Sequence, residues 1–213
     1  MSRFFSNSII LAVFCASFYL LTTCISWLAS DDDTSIVHEQ SFDRRKADQF
    51  WRQRRWEDAA VYYENLTSKD PFNGNAWFYL AECHRNQRFE YVRKIYRAER
   101  DGTLDEETND EYMQQAEAIG DKAIEYYQRA IGFPRYSDRA RFSMAKIMAF
   151  HGQHESALKN LSEAVDNAYV CAGRGGLREV YELRDLRGLA EFKDICNAER
   201  QNYERRRRGN RRK

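Results

Sequence analysis

The sequence predicts an all-α fold: an α-α solenoid of about three to four helix pairs, preceded by an N-terminal hydrophobic helix. Of the 213 residues, 43% are hydrophobic and 31% are charged, so the chain has enough apolar side chains to form a packed domain. Two prolines and ten glycines are too few for the frequent turns of an all-β protein. A helical pattern of small and aromatic residues also recurs at intervals of about 34 residues, which is typical of stacked helix pairs.

The first element in the chain is an uncharged stretch of 22 residues, 8–29. As a helix it would span about 33 Å, close to the roughly 30 Å hydrocarbon core of a bilayer. Arg3 precedes the stretch and three aspartates, 31–33, follow it, which favours a cytoplasmic amino terminus. We therefore predict a transmembrane anchor over residues 1–30, with the soluble domain outside the cytoplasm, in the periplasm if the organism is bacterial.

Two alternatives remain open for this segment. A signal peptide cleaved after residues 28–30 would give a secreted protein, although the apolar stretch is longer than in most signal peptides. Lipidation of Cys24 is the other alternative, but the threonine before it is a poor match to that motif. Residues 31–41 are predicted to be a linker.

The repeated pattern extends over residues 42–168. Four similar stretches place a small or β-branched residue at intervals of 33, 31 and 34 residues, and an aromatic or leucine residue follows four positions later, on the same helix face. The first set is Ala59, Val92, Ala123 and Ala157, and the second is Tyr63, Tyr96, Tyr127 and Leu161.

This pattern resembles the tetratricopeptide repeat, a unit of two antiparallel helices in about 34 residues. Trp77, Leu80 and Ala81 match the aromatic, leucine and small residues that open the first helix of that family's unit, and Pro71 stands where a unit often ends. The resemblance implies that small residues lie where paired helices cross. The predicted repeat-packing residues are Ala47, Ala59, Ala81, Ala123, Ala145 and Ala157.

The chain also departs from the family pattern. Arg54 and Arg88 stand at or beside turn positions where the family often has glycine. The third repeat is degenerate, because Glu111 stands where a small residue is expected. Residues 101–110 contain five acids and no base, and we predict that they form an acidic insertion that loops out.

Beyond the repeats, residues 169–203 are predicted to form C-terminal capping helices, since a solenoid must cover its last stacking face. Residues 204–213 are predicted to be a basic, disordered tail that could bind an anionic partner. Its basic residues are Arg205, Arg206, Arg207, Arg208, Arg211, Arg212 and Lys213.

No motif in the sequence indicates catalysis, a cofactor or a metal. His151 and His154 occur in HGQHE, which is neither of the zinc-protease motifs. The glycine-rich run 173–176 has no preceding strand and no following Lys-Ser or Lys-Thr. The cysteines form no CxxC pair. We therefore predict a protein that is not an enzyme and has no small-molecule substrate.

The resemblance implies that the first helices of the pairs line a concave groove that binds a protein or peptide. The predicted groove residues are Arg44, Asp48, Trp51, Arg52, Asn75, Phe78, Glu82, Arg85, Arg139, Phe142, Lys146 and Phe150. Some family members clamp a terminal carboxylate with asparagines here, but Asp48 and Glu82 occupy those places, which argues against that ligand. The predicted function is a scaffold or adaptor held at a membrane. The alternative is an accessory protein that binds nucleic acid or an anionic surface through its tail.

Overall fold

The computed structural model describes residues 41, 43–171 and 176–210, and every regular element in these ranges is helical. The all-α prediction is therefore confirmed for the described part of the chain. The chain divides into two compact units, Met1–Arg45 and Lys46–Lys213, and the helices from residue 46 onward pack within the second unit. The helices are α1 (43–52), α2 (Trp56–Lys69), α3 (Gly74–Asp101), α4 (Glu106–Ile131), α5 (Pro134–Phe150), α6 (His154–Asp166) and α7 (Ala190–Asn210), with two 3₁₀ helices, η1 (Gly176–Glu179) and η2 (Tyr181–Leu186), before α7.

Local sequence explains where these helices begin. The side chain of Asn73 accepts a hydrogen bond from the amide of Ala76 at the start of α3, and Asp105 accepts one from Thr108 at the start of α4. Pro134 opens α5, where its missing N–H removes no helix hydrogen bond. Each of these three helix starts therefore has a residue type suited to it.

Successive helices pack against each other, and the predicted repeat-packing alanines are buried. All six predicted repeat-packing alanines have 0% of their surface exposed. Ala81 of α3 and Ala123 of α4 share a core cluster with Tyr127, while Ala145 and Ala157 share the next one with Leu161. An alanine at such a position lets two helix backbones approach closely, and a neighbouring large side chain fills the remaining space.

The structure differs from the predicted repeat count in the middle of the chain. No turn occurs at Arg88, because α3 runs unbroken from Gly74 to Asp101, and α4 is likewise one helix from Glu106. The first half of α3 therefore pairs with the second half of α4. Ala123, and not Val92, is the counterpart of Ala59.

The intervening residues form a helical hairpin, 89–119, which we call the arm. Tyr96, which the sequence pattern aligns with the buried Tyr63 and Tyr127, lies in the arm and is 49% exposed. The segment 85–92 contains no glycine or proline to end a helix. The arm is nearly one repeat long, so it preserves the 34-residue spacing without forming a repeat. The acidic segment 101–110 also differs from prediction, since only residues 102–105 leave the helices.

The C-terminal segment covers the last helix pair. Leu177, Leu183, Leu186 and Phe192 are at most 1% exposed and join the core of α5 and α6. The sequence predicts capping helices here, and in the structure two 3₁₀ helices and α7 cover this core.

The basic tail is not disordered over residues 204–210, because α7 extends to Asn210. Two side chains of α7 donate hydrogen bonds to carbonyls at or just after the end of α6. Asn202 donates to Val165 O at 2.7 Å, and Arg206 donates to Ala168 O at 2.7 Å. These bonds join α7 to the end of α6 and to the turn that follows it. Residues 211–213, like the predicted anchor at 8–29, lie outside the described residues. No helix in the described ranges combines the length and apolar character needed to span a bilayer.

Candidate partner-binding site

The structure brings the predicted groove residues of α3 and α5 together. On each helix they recur at three- or four-residue steps, which places them on one face. Three contacts join the two faces: Asn75 Nδ2 donates to Tyr136 OH at 2.6 Å, Ser143 Oγ donates to Glu82 Oε1 at 3.0 Å, and the Arg139 guanidinium lies 4.6 Å from the Phe78 ring. These two faces form the centre of the candidate site.

An aromatic group lies beside α1. The Trp51 ring packs edge-on against Trp56 and Tyr79, with centroids 4.9 and 5.2 Å away, and Tyr79 stacks on Tyr63 at 5.7 Å. The Tyr63 hydroxyl donates to Asp48 Oδ1 at 3.0 Å, so this predicted groove carboxylate is bonded within the fold. Trp51 and Tyr79 are half-buried, which leaves ring surface for a ligand.

Two of the predicted groove phenylalanines belong to the core. Phe78 is 1% exposed and stacks on Tyr136, and Phe142 is 8% exposed and packs against Tyr169 at 5.0 Å. Phe150 is half-buried. Phe78 and Phe142 therefore pack in the core under the site and offer little surface of their own to a partner.

A network of polar side chains centres on Glu82. Its Oε1 accepts hydrogen bonds from Tyr127 OH at 2.5 Å and Ser143 Oγ at 3.0 Å, and its Oε2 accepts from Arg85 Nη2 at 2.9 Å. Burial by itself would raise the pKa of Glu82, but the charge of Arg85 and the hydrogen bonds outweigh it, so the pKa is lowered. Glu82 is therefore a fixed buried anion at neutral pH.

Lys146 lies close enough to this network for its charge to matter. Burial lowers the pKa of its ammonium, and the positive charge of Arg85 lowers it further, while Glu182 and Glu82 act in the opposite direction. The ammonium lies 4.9 Å from the Phe142 ring centroid. Arg85 keeps its charge, because the attraction of Glu82 outweighs the effect of burial and raises the pKa of the guanidinium.

Arg88 is a buried charge where the arm joins the other helices of residues 46–210, which we call the body. It is 1% exposed, its Nε donates to His151 Nε2 at 3.1 Å, and its guanidinium lies 4.7 Å from the Phe150 ring. Burial lowers the pKa of Arg88 to about 10. Burial and the nearby Arg88 charge lower the pKa of His151 to about 4, so the histidine is neutral and can accept the hydrogen bond.

Three arginines among the predicted groove residues are exposed. Arg52 and Arg139 are exposed, and Arg44 is exposed in the unit that ends at Arg45. Sequence reasoning missed Tyr79 and Arg88, although their neighbours Phe78 and Arg85 were identified. Adjacent residues of a helix can both border a groove, and that signal would have suggested Tyr79. Glu182, from η2, could not have been assigned to the site by repeat spacing.

The described arginines of the tail, 205–208, are all exposed, and three of them have partners within the chain. Arg205 donates to Asn202 Oδ1, Arg206 bonds Ala168, and Arg208 lies 3.7 Å from Glu204. Arg207 is exposed, and the last three basic residues lie outside the described ranges.

The described residues offer no grouped metal ligands, and their cysteines form no disulfide. Within the described ranges, no three His, Cys, Asp or Glu side chains are grouped as metal ligands would be. Cys83, Cys171 and Cys196 carry free thiols. Burial raises the pKa of Cys83, which keeps it protonated.

A comparison with known families gives one match. Residues 44–90, from α1 into the first half of α3, match the family model of the tetratricopeptide repeat. No curated protein and no solved structure matches the chain. The segment that forms the first helix pair and begins the second is thus similar to tetratricopeptide repeats, a family that commonly mediates protein–protein interaction.

Proposed function

We propose that this protein is a non-catalytic interaction module that binds a segment of a partner protein along the groove residues of α1, α3 and α5. The observation that carries the proposal is the group of partly exposed rings beside α1, together with the exposed guanidinium groups of Arg52 on α1 and Arg139 on α5. Aromatic and arginine side chains are the residue types that contribute most to protein interfaces.

The chemistry of these side chains defines the partner segment. Trp51 and Tyr79 offer ring surface for an apolar side chain, while Arg52 and Arg139 offer exposed guanidinium groups for a carboxylate. Glu82 and Asp48 accept hydrogen bonds from the fold, so they are not directed at a partner. We expect the partner to present an apolar segment with acidic residues beside it.

Site-specific photo-crosslinking in intact membranes tests this proposal. A photoreactive phenylalanine replaces Arg52 or Arg139 in turn, and the matched control replaces Lys159, an exposed residue of α6. We expect Arg52 and Arg139 to yield the same adduct and Lys159 to yield none. Adding Trp51→Ala should weaken the adduct while the melting curve shows a folded protein. An adduct of equal yield from Lys159 would contradict the proposal.

The second part of the proposal is that residues 8–29 hold this module at a membrane, outside the cytoplasm. It is supported by the uncharged span, and an adaptor gains effective concentration when it is tethered beside its partners. Membranes washed at alkaline pH should retain the uncleaved chain. Complete release of uncleaved protein would refute the anchor, and the mass of the mature chain would distinguish anchor from cleaved signal.

Binding of nucleic acid through the tail has weaker support. Arg205 and Arg206 donate to acceptors of the chain itself, and Arg208 pairs with Glu204. Binding that falls steeply with salt and disappears when residues 205–213 are deleted would favour that alternative.

A further inference from the structure

Helices α3 and α5 run parallel in a constant register. Three contacts join residues whose numbers differ by 61: Asn75 with Tyr136, Phe78 with Arg139, and Glu82 with Ser143. The same difference pairs Arg85 of α3 with Lys146 of α5. Burial and the charge of Arg85 both lower the pKa of Lys146, as expected for a buried cation that lies near another. Two positive side chains therefore face each other across the seam between α3 and α5.

Lys146 has no polar partner in the described part of the chain. Its side chain is partly exposed, and its ammonium makes no hydrogen bond or ion pair with a described residue. The ammonium lies 4.9 Å from the Phe142 ring centroid, and a ring attracts a cation without accepting its hydrogen bonds in place of an oxygen. The N–H groups of Lys146 are therefore open to an acceptor from a partner.

Arg88 lies about one turn further along α3 and is also incompletely satisfied. It is 1% exposed, and its Nη2 has no hydrogen-bond partner among the described residues, although Nε donates to the neutral His151. It makes no ion pair with a described carboxylate, so no contact neutralises its charge. A buried charge acts over a longer range than an exposed one, because less water screens it. We call Arg85, Arg88 and Lys146 the cationic seam.

Two carboxylates lie near the cationic seam, and they do not balance it. Glu82 is bonded to Arg85. The negative charge of Glu182, from η2, raises the pKa of all three cations against the effect of burial, but Glu182 forms no ion pair with a described residue. Three positive charges and two negative ones leave an excess of one positive charge. One further negative charge would therefore balance the seam.

We propose that the cationic seam binds the carboxylate of an aspartate or glutamate side chain in the partner segment. This rests on the proposed function and adds a second acidic position to the one near Arg139. Lys146 Nζ donates to one carboxylate oxygen. Arg85 Nη1, which makes no hydrogen bond among the described residues, donates to the other. Groove residues continue on both sides of the seam along α5, from Arg139 to Phe150, so the segment presents a side chain here and not its terminus.

The excess charge favours a carboxylate over a phosphate. A carboxylate carries the one negative charge that the seam lacks, whereas a phosphate monoester carries about 1.5–2 at neutral pH. Glu82 and Glu182 would repel the larger charge more strongly. We therefore expect an acidic side chain and not a phosphorylated one.

Two capped amino acids of equal shape test the proposal on the purified full chain in detergent. The probe is N-acetylglutamate amide, which carries a side-chain carboxylate, and the reference is N-acetylglutamine amide, which is neutral. Ligand-detected NMR titration measures both affinities. We expect the wild type to bind the glutamate probe about tenfold more tightly, since hydrogen bonds between charged groups are stronger than those to a neutral amide.

Substitutions at Lys146 locate the preference. Lys146→Gln should abolish it and Lys146→Arg should retain it, because only arginine keeps a positively charged donor. Lys146→Gln breaks no hydrogen bond of the described fold, and a thermal melt verifies that the variant is folded. The matched control is Lys159→Gln, which removes an exposed lysine of α6 and should bind both compounds as the wild type does.

The remaining outcomes would overturn the proposal. A wild type that binds both compounds equally, or a preference that survives in Lys146→Gln, would contradict it. Tighter binding of N-acetyl-O-phosphoserine amide than of the glutamate probe would assign the seam to phosphate instead.

Failure of the seam and failure of the groove can be told apart. The crosslinks from Arg52 and Arg139 require a partner protein, whereas the probes require only the seam. A glutamate preference that depends on Lys146, without any crosslinked adduct, would keep the carboxylate site and reject the groove partner. A crosslinked adduct together with equal binding of the two compounds would keep the partner and reject the seam.

Discussion

Helices α3 and α4 each pass through two environments, the body and the arm, and the two halves differ in what stabilises them. In the body, α3 buries Phe78, Leu80 and Ala81 between neighbouring helices, whereas the arm buries only Val92 and Ile95 from α3 and Ala116 from α4. The arm has a salt bridge within α3, between Arg93 and Glu90, and ring contacts of Tyr91 with Tyr112 and of Tyr96 with Tyr181. One continuous helix therefore passes from a core of many buried side chains to a hairpin with few of them.

The largest expected difference between the two halves concerns a single carboxylate. Glu82→Gln removes the buried anion that faces Arg85 and Lys146, and we expect a loss of about 3–5 kcal/mol in the free energy of unfolding. The matched change in the arm, Glu90→Gln, breaks an exposed pair with Arg93 and should cost less than about 0.5 kcal/mol. Urea denaturation measures both, and equal losses would contradict the distinction between body and arm.

The next effect is a pH dependence at the junction. The pKa of His151 is about 4 in the folded protein, below its ordinary 6.5, so the unfolded chain binds the proton more readily. The stability that comes from neutral His151 is therefore fully present above pH 6.5. The free energy of unfolding should fall by about 2–3 kcal/mol as the pH falls from about 6.5 to about 4.

His151→Gln isolates this contribution, because glutamine can still accept the hydrogen bond from Arg88 but does not titrate. Burial also lowers the pKa of His84, but that histidine is present in both proteins and cancels. Thermal melts of both proteins at several pH values check the prediction. If the two stability curves fall in parallel between pH 6.5 and 4, His151 is not the responsible group.

A smaller effect is expected where the arm joins the body. A Cβ on Gly120 would lie 3.1 Å from Ile147 Cγ2 and 3.2 Å from Arg88 Cδ, and Arg88 is held by His151. Gly120→Ala should therefore destabilise by about 1–2 kcal/mol despite the better helix propensity of alanine. Gly209→Ala in α7, with nothing within 4 Å, should be neutral or slightly stabilising. A stabilising Gly120→Ala would mean that Arg88 is free to move.

The smallest effects concern the turns of the outer helix pairs. Arg54 has φ +59° between α1 and α2, and Gly152 has φ +72° between α5 and α6. Arg54→Gly should stabilise by up to about 1 kcal/mol, and Gly152→Ala should destabilise by a similar amount, since only glycine adopts this conformation readily. Chemical denaturation measures both changes. If both substitutions changed the stability in the same direction, backbone conformation would be excluded as the cause.

The two turn-position arginines show how far repeat spacing could predict the fold. Arg54 does occupy a turn with positive φ, but Arg88 lies in an unbroken helix. Both positions fit the 34-residue spacing, because the arm is nearly one repeat long. Spacing along the chain therefore could not distinguish an extra repeat from an extension of the second one.

The candidate site was predictable to a similar extent. The resemblance to the tetratricopeptide repeat implied that Glu82, Arg139 and Lys146 face a common groove from the first helices of two pairs. It could not show that Glu82 bonds Tyr127 and Ser143, or that Phe78 and Phe142 face the core. These outcomes depend on which neighbouring helix covers each face.

The sequence by itself determined the helical class, since periodicity is a local property that needs no knowledge of neighbours. Tertiary structure alone decided that the first half of α3 pairs with the second half of α4, that Arg88 is buried, and that α7 continues to Asn210. The reason is that burial and hydrogen bonding between distant segments depend on how the helices stack. A helix ends or continues, and a charge is buried or exposed, according to the surfaces that meet it.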